Sequence, residues 1–563
     1  MQKRIMRRSY SENQLKNLTS LSPILQRIYA SRDVRSLADI DHSLASLLPY
    51  HTLTDIEKAA GRLKQAVLQQ EKILVIGDFD ADGATSTTLA VAALRAFGAK
   101  HVDFLVPNRF TFGYGLTPEI VEVAKTLSPT VIVTVDNGIA SIEGVNRANE
   151  FGIDVVVTDH HLQGTQLPKA YAIVNPNRKN DLFESKSLAG VGVIFYVMLA
   201  LRQALSSKIN MAQFLDLVAL GTVADVVPLD KNNRILVHQG LQRIRQGKAR
   251  PGILALIQIA ARDYQKMKAM DLGFSVGPRL NAAGRLDDMS LGIHCLLSES
   301  IADALIKAAH LDQLNKERRA IETEMKTQAF DIVDHMDLQN NLPMGICLYD
   351  ETWHQGVIGL VASRVKDKLN RPVIAFANAD ENTLKGSARS VKNVHIRDVL
   401  DEIATMYPQL LSKFGGHAMA AGLSIAKKNY DEFKKIFSVV VSRYLSKDQL
   451  DFLIETDGEL TADEFTLPHA ELMKDAGPWG QHFPEPLFDG EFEIVSQRLV
   501  GEHHLKMMLQ PKNGKFPVDA IAFRVDTAKW PNHRCTRATM VYRLDANEFQ
   551  GRKTLQLVVE EIF

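Results

Sequence analysis

The sequence predicts an α/β protein of several folding units: a parallel-sheet domain, a long connecting helix, a second α/β domain and a small C-terminal β-domain. The chain has 563 residues, several times the roughly 150 residues of one domain. From Lys72 onward, strand-sized apolar runs alternate with helical segments, the pattern of a mostly parallel sheet covered on both faces. Between Ile301 and Met336 there is neither Gly nor Pro, and Leu311, Leu314, Arg318, Ile321 and Met325 recur at helical spacing.

Residues 1–70 show helical spacing without strand signals and are expected to form a helical N-terminal lead-in. The first α/β domain spans 71–300. Its strands are read from KILVIGD, VDFLV, VIVTVD, DVVVTD and AYAIVN, with a helix through Leu89 to Ala96 after the first of them. A helical region follows from Ala189 to Leu220, then a helix-rich stretch to Tyr264, and the glycines of GFSVGPRLNAAGRL mark a loop. Residues 301–337 form the connecting helix. The second α/β domain, 338–450, takes its strands from MGICLYD, PVIAFAN and GLSIA and ends in the helical SVVVSRYLSKDQL. From 451 to 563, short alternating segments and turns such as PKNG (Pro511 to Gly514) predict a β-domain or barrel.

Hydrophobic residues at 45% and charged residues at 23% are ordinary globular values and exclude a disordered or fibrous chain. Lys plus Arg and Asp plus Glu both total 66, so a phosphate-rich partner must be held by local basic patches rather than by net charge. Only Cys295, Cys347 and Cys535 are present, far apart in sequence, which excludes a disulfide framework and a thiolate zinc motif. The basic N-terminus is followed by no apolar stretch of a secretory signal, and no run reaches the ~20 apolar residues of a membrane span. The expected location is the cytoplasm, without a membrane role.

The chemistry is concentrated in VIGDFDADGATSTT, where an apolar strand runs into Asp78, Asp80 and Asp82 before Gly83 opens a helix. Alternate residues of an extended chain point to one side, and such a carboxylate cluster needs a cation to offset its own repulsion. An EF-hand loop shares this opening but requires Glu at its twelfth position, where Leu89 stands. VIVTVDNG places Asp136 at the end of a second apolar strand, and VVVTDHH places Asp159, His160 and His161 at the end of a third. GTVADVV adds Asp225 after a further apolar run. One such Asp is a common turn residue, whereas four coordinated placements at the ligand-binding edge of a parallel sheet form a metal site. Carboxylates with imidazole favour Mg2+ or Mn2+, and the His tilts the choice toward Mn2+.

DFDADG, VDNG, DHH and GTVADVVPL, in this order, resemble the four motifs of the DHH phosphoesterase superfamily, and GGHAMAAG at Gly415 to Gly422 resembles the signature of its companion DHHA1 domain. With WHQGVIGLVASR, GPRLNAAGRL and the terminal β-domain, residues 70–563 are similar to the family's bacterial single-strand-specific exonucleases. The resemblance implies two ions, Mn2+ or Mg2+, bridged by Asp136, with Asp80 and Asp82 divided between them and His160 and Asp225 completing the second. It implies that His161 touches the scissile phosphate. Some family members carry a His two residues before the first Asp of DFDADG; Ile76 stands there, so Asp78 or water is expected to serve the first ion.

Backbone phosphates call for cations. Arg109 in PNRFTFGYG and Arg279, Asn281 and Arg285 in GPRLNAAGRL are candidate substrate ligands, because a guanidinium fork pairs bidentately with phosphate oxygens. Arg318, on the apolar stripe of the connecting helix, is as readily a snorkelling side chain as a ligand. KGSARSVKNVHIR, Lys385 to Arg397, is a local basic patch in which Gly386, Ser387 and Arg389 look like a phosphate nest. Similarity suggests that the nest reads the 5′ end, with Gly415, Gly416 and His417 beside it, while helix packing explains AMAAG equally well. The resemblance makes the terminal domain an OB-fold, where Lys506, Lys512, Lys515, Arg524 and Lys529 suit a strand-holding groove. Phe516 and Phe523 are read as core rather than stacking residues.

The expected activity is a metal-dependent 5′-to-3′ exonuclease that degrades single-stranded DNA to 5′-mononucleotides in DNA repair and recombination. Hydrolysis follows from the site; polarity, DNA preference and strand selectivity follow from the resemblance, as does a monomer that works with a helicase and a single-strand-binding protein. Two domains joined by a long helix can enclose a channel too narrow for a duplex. A phosphodiesterase of short oligonucleotides or cyclic dinucleotides is the alternative, and the terminal domain argues against it. Retention of Asp80, Asp82, Asp136, His160 and Asp225 argues against a non-catalytic DNA-binding scaffold.

Overall fold

The computed structural model describes residues 3–108, 112, 114–338, 342–411, 413–446 and 450–563. It begins with a strand, β1 (Lys3–Arg7), which corrects the purely helical lead-in. The strand is polar and mostly exposed, so no periodicity betrays it; it forms by pairing in parallel with Phe452–Thr456. The helices Pro23–Ala30 and Ile56–Gln69 follow, each burying one apolar face.

Five strands build the first sheet: β2 (Ile73–Ile76), β3 (Val102–Leu105), β4 (Val131–Val135), β5 (Asp154–Thr158) and β6 (Ala172–Val174). All neighbours are parallel and the order is β3-β2-β4-β5-β6. Every residue of β2 and β4 is buried, as strands covered on both faces must be. The helix Ala81–Ala96 packs on one face with Gly190–Ala204 and Leu215–Ala224.

GPRLNAAGRL is not a loop but the helix Gly277–Leu286. A π-helical turn, Leu272–Val276, runs directly into it, and Pro278 is accommodated at that irregular junction; the small Ala282, Ala283 and Gly284 are buried. The connecting helix runs Ile301–Leu338. Arg318 is buried on it and paired with Glu322 and Asn315, so it neither snorkels to solvent nor faces a ligand.

The second sheet contains β7 (Ile346–Tyr349), β8 (Val373–Asn378), β9 (Thr383–Arg389), β10 (Lys413–Gly416) and β11 (Ala420–Ala426), ordered β10-β11-β9-β8-β7. The predicted nest at Gly386 is an interior strand position: a Cβ there would lie 2.6 Å from the Phe376 ring. AMAAG belongs to a hairpin and strand, which removes the helix-packing reading. After β12 (Phe452–Thr456), the strands β13 (Phe488–Val500), β14 (His504–Pro511), β15 (Val518–Ala522), β16 (Arg537–Phe549) and β17 (Arg552–Ile562) close a barrel. Phe516 and Phe523 are 77% and 54% exposed, so they are not core. The barrel interior is filled instead by Phe488, Phe492, Leu509, Met540 and Tyr542.

The N-terminal lead-in is bound to the C-terminal region by charge as well as by β1. Arg32 meets Asp457 through two hydrogen bonds of 2.6 and 2.9 Å, and both side chains are 1% exposed. Removing Arg32 breaks the two short bonds and leaves the buried Asp457 carboxylate with the longer 3.5 Å contact to Arg8 as its cationic partner. Arg32→Ala is therefore expected to destabilise the protein by about 3–5 kcal/mol, measured as a lowered midpoint in denaturant titration; an unchanged midpoint would mean that the pair contributes nothing.

Candidate metal centre

The order of the first sheet reverses between β2 and β4, and the crevice outside the carboxyl ends of strands at such a point is where open α/β sheets bind ligands. Asp78, Asp80 and Asp82 follow β2, Asp136 follows β4, and Asp159, His160 and His161 follow β5. Asp80 is the N-cap of the helix Ala81–Ala96: its Oδ1 accepts the Asp82 and Gly83 amides at 2.9 and 3.0 Å. Asp225 comes from the C-terminal end of the helix Leu215–Ala224.

These loops bring the acidic residues together in overlapping clusters. Ligand atoms of Asp78, Asp80 and Asp136 lie within 4.8 Å of one another, as do those of Asp82, His160 and Asp225. His160 Nε2 is 3.1 Å from Asp136 Oδ1 and 3.6 Å from Asp225 Oδ2, which makes the two clusters continuous. The 3.1 Å approach is close in distance, but among the described residues no hydrogen bond of acceptable geometry reaches the buried Asp136 Oδ1. A buried carboxylate oxygen left in this state, among other carboxylates and one imidazole, fits a hard divalent cation.

Burial, reinforced by neighbouring carboxylates, raises the pKa of Asp82 to about 7 and that of Asp225 to about 8, and lifts Asp136 well above the usual range. The two histidines diverge. Burial and the charge of His161 hold His160 neutral by lowering its pKa. Burial also opposes the charged form of His161, but Asp159, 2.7 Å from its Nδ1, outweighs it and raises the pKa to about 9. Asp159 is lowered to about 2: burial works against its charge, while His161 and the Ile139 amide favour it.

The other predicted ligands divide. Arg109 lies outside the described residues. Arg279 is held by Asp312 at 2.8 Å and by the Ser275 carbonyl, so phosphate binding competes with an existing ion pair. Asn281 Oδ1 accepts the Ala81 amide at 2.8 Å, and Arg285 donates to the Gly356 carbonyl at 3.2 Å. Ser387 and Arg389 lie side by side on β9, and a Cβ on Gly359, in the first turn of the helix Ile358–Leu369, would be 2.8 Å from each. His417 belongs to the second domain, yet its ring stacks on His161 with centroids 5.2 Å apart.

Five contributors escape the sequence reading: Tyr114, Gly190, Val191, Asn175 and Asn177. Asp136 has a left-handed backbone, φ 62°, and its carbonyl accepts the Tyr114 hydroxyl at 3.0 Å. Tyr114 also lies 3.2 Å from His161 Nε2. Gly190 starts the helix Gly190–Ala204, and its amide and that of Val191 donate to Asp82; a Cβ on Gly190 would be 2.6 Å from Asp136, so only Gly fits. Asn177 and Asn175 donate to the carbonyls of His160 and His161 and hold that loop. No local motif marks these roles: Tyr114 and Gly190 stand in stretches without acidic residues and reach the site only through the fold.

Family models described as the DHH family N-terminal domain, the DHHA1 domain and the RecJ OB domain match residues 72–222, 343–443 and 456–561. The single-stranded-DNA-specific exonuclease RecJ of Escherichia coli strain K12 is 51% identical over 554 residues, spanning 96% of this chain and 96% of that protein. RecJ of Haemophilus influenzae is 50% identical over 573 residues, spanning 100% and 99%. A crystal structure of RecJ in complex with Mn2+ from Thermus thermophilus superposes with a TM-score of 0.84 at 28% identity, covering 100% of this chain and 79% of that one.

Because the folded pKa values of Asp82 and Asp225 are raised, the stability they contribute is complete below their unfolded values near pH 4 and is lost as pH rises through about 7 to 8. The metal-free protein is expected to melt at a lower temperature at about pH 8.5 than at about pH 6. Mn2+ is expected to narrow that gap and to release protons on binding. Calorimetry in buffers of different ionisation enthalpy measures the release; a gap indifferent to Mn2+ would show that these carboxylates do not hold it.

Proposed function

We propose, for a chain that belongs to the RecJ family of single-stranded-DNA-specific exonucleases, that it hydrolyses single-stranded DNA from the 5′ end and releases 5′-mononucleotides. The observation that carries this reading is the pair of carboxylate clusters made continuous through Asp136 and His160, with a charged His161 beside them. Asp78, Asp80 and Asp136 would hold one divalent ion, and Asp82, His160 and Asp225 the other, with Asp136 shared. When bound, Mn2+ or Mg2+ supplies Lewis acidity that lowers the pKa of water and offsets charge on the phosphodiester oxygens.

The chain's own groups do the rest. Asp159 keeps His161 protonated and fixes its ring, so the imidazolium is available to a non-bridging phosphate oxygen. His417, neutral because burial and the His161 charge lower its pKa to about 4, stacks behind that ring and brings the second domain to the reacting phosphate. Ser387, Arg389 and the start of the helix Ile358–Leu369 offer a hydroxyl, a guanidinium and helix amides in one place, a suitable seat for a 5′-terminal phosphate. Arg109, outside the described residues, would by resemblance lie on the strand path.

In the barrel, Lys506, Lys512 and Lys529 contact Asp519, Glu491 and Asp526; the pairs of Lys512 and Lys529 are exposed and can yield to a phosphate. The exposed rings of Phe516 and Phe523 suit stacking on bases. The enzyme acts as a cytoplasmic monomer in repair and recombination, on strands exposed by a helicase and coated by single-strand-binding protein. Among the described residues no helix is long and apolar enough to cross a membrane.

A time course on 5′- and 3′-labelled single strands with Mn2+, Mg2+ or chelator tests the activity. Mononucleotide is expected to appear first from the 5′ label and only with metal, while Asp136→Ala retains strand binding but loses at least about 100-fold in rate. Release from the 3′ label first would overturn the polarity, and full activity in chelator the metal reading. Replacing both Phe516 and Phe523 by Ala is expected to weaken a long strand about tenfold or more and to leave cleavage of a very short oligonucleotide unchanged. Equal binding of the long strand would return those rings to a passive surface role.

A further inference from the structure

The helix Gly277–Leu286 touches several parts of the molecule at once. Asn281 Oδ1 accepts the Ala81 amide at 2.8 Å, in the loop that carries Asp78, Asp80 and Asp82. One turn on, a Cβ on Gly284 would lie 1.7 Å from the Phe79 carbonyl oxygen, so the helix rests directly on the backbone of the same loop. Arg279 pairs with Asp312 on the connecting helix, and Arg285 donates to the Gly356 carbonyl in the second domain.

At the start of the helix Ala81–Ala96 the first backbone N–H groups have no intrahelical acceptor. Asp80 takes the amides of Asp82 and Gly83, but a single cap cannot also reach Ala81. Ala81 is 1% exposed, so water cannot serve it well, and the acceptor it has is Asn281, 200 residues away in sequence. The bond is made midway between the two aspartates that face different clusters: Asp80 toward Asp78 and Asp136, Asp82 toward His160 and Asp225.

We propose that Asn281 is a positioning residue for the metal loop. By accepting the Ala81 amide it fixes the peptide between Asp80 and Asp82, and so sets the separation of the two carboxylates that define the clusters. Through its helix, that separation is braced against the connecting helix and the second domain. This rests on the two-cluster metal reading above and replaces the substrate-ligand role expected from sequence for Asn281.

The test compares wild type, Asn281→Ala and Asn281→Asp, the last keeping an oxygen acceptor. Mn2+ is titrated into metal-free protein without DNA and followed by electron paramagnetic resonance; single-strand affinity is measured separately in chelator. Asn281→Ala is expected to weaken Mn2+ binding by about tenfold or more, with strand affinity in chelator unchanged, and Asn281→Asp to restore most of the Mn2+ affinity. Hydrogen exchange at the Ala81 amide should accelerate in Asn281→Ala alone. Unaltered Mn2+ affinity in Asn281→Ala, or a loss of strand affinity with Mn2+ binding intact, would overturn the proposal. If Asn281→Ala does not fold, Asn281→Asp and the wild-type protection of the Ala81 amide decide it, and an unprotected amide refutes it. Wild type that binds no Mn2+ at all would refute the metal reading itself, a separate outcome.

Discussion

Negative charge gathered where water is scarce is the constraint around which this molecule is arranged. Asp78, Asp82 and Asp136 are buried, and Asp80 and Asp225 stand beside them at the switch point of the first sheet. The protein offsets part of the repulsion with backbone amides: Gly190 and Val191 serve Asp82, and Asp82 and Gly83 serve Asp80. It leaves the rest unmet, as the raised pKa values of Asp82, Asp136 and Asp225 record. That remainder is the affinity for a divalent ion, because a site already neutral by itself would gain little from one.

Two adjacent histidines are then made to behave oppositely. His160 lies among the carboxylates and burial favours its neutral form, the form in which an imidazole can bind a metal. His161 turns toward Asp159, whose carboxylate is itself held by the His160, His161 and Ile139 amides, and stays charged. One short loop therefore delivers a neutral imidazole and a cation, and the difference arises from the Asp159 carboxylate, which hydrogen-bonds the ring of His161.

Much of this is legible in the sequence because burial on both faces makes strands such as ILVI and VIVTV apolar throughout, and because several such strands end in aspartates, a coincidence that turns alone do not require. The polar β1 is illegible, since its partner is distant and no face of it is buried. β9 escapes notice because its inward positions include Gly386 and Ala388, small residues that carry little apolar signal. The helix Gly277–Leu286 reads as a loop because Gly and Pro ordinarily break helices; here Pro278 sits where a π-helical turn joins the helix, and Gly284 is required by contact with Phe79. The ligands of the clusters can be named from local motifs, whereas Tyr114, Gly190 and Asn281 act on atoms brought near only by tertiary packing. Exposure of Phe516 and Phe523 likewise depends on barrel closure, which composition does not determine.

The parallel pairing of β1 with β12 has a bearing on how the polypeptide is made. The strand that Lys3–Arg7 pairs with emerges from the ribosome about 450 residues after it, and synthesis at roughly 5–20 residues per second makes that a wait of tens of seconds. Arg32 waits as long for Asp457. The sheet that carries the aspartates can assemble meanwhile, but β1 remains unsecured until Phe452–Thr456 has been made. Its docking is thus a late, post-assembly event, and a nascent chain stalled before β12 would expose the unpaired edge of β1 to whatever binds strands in the cell.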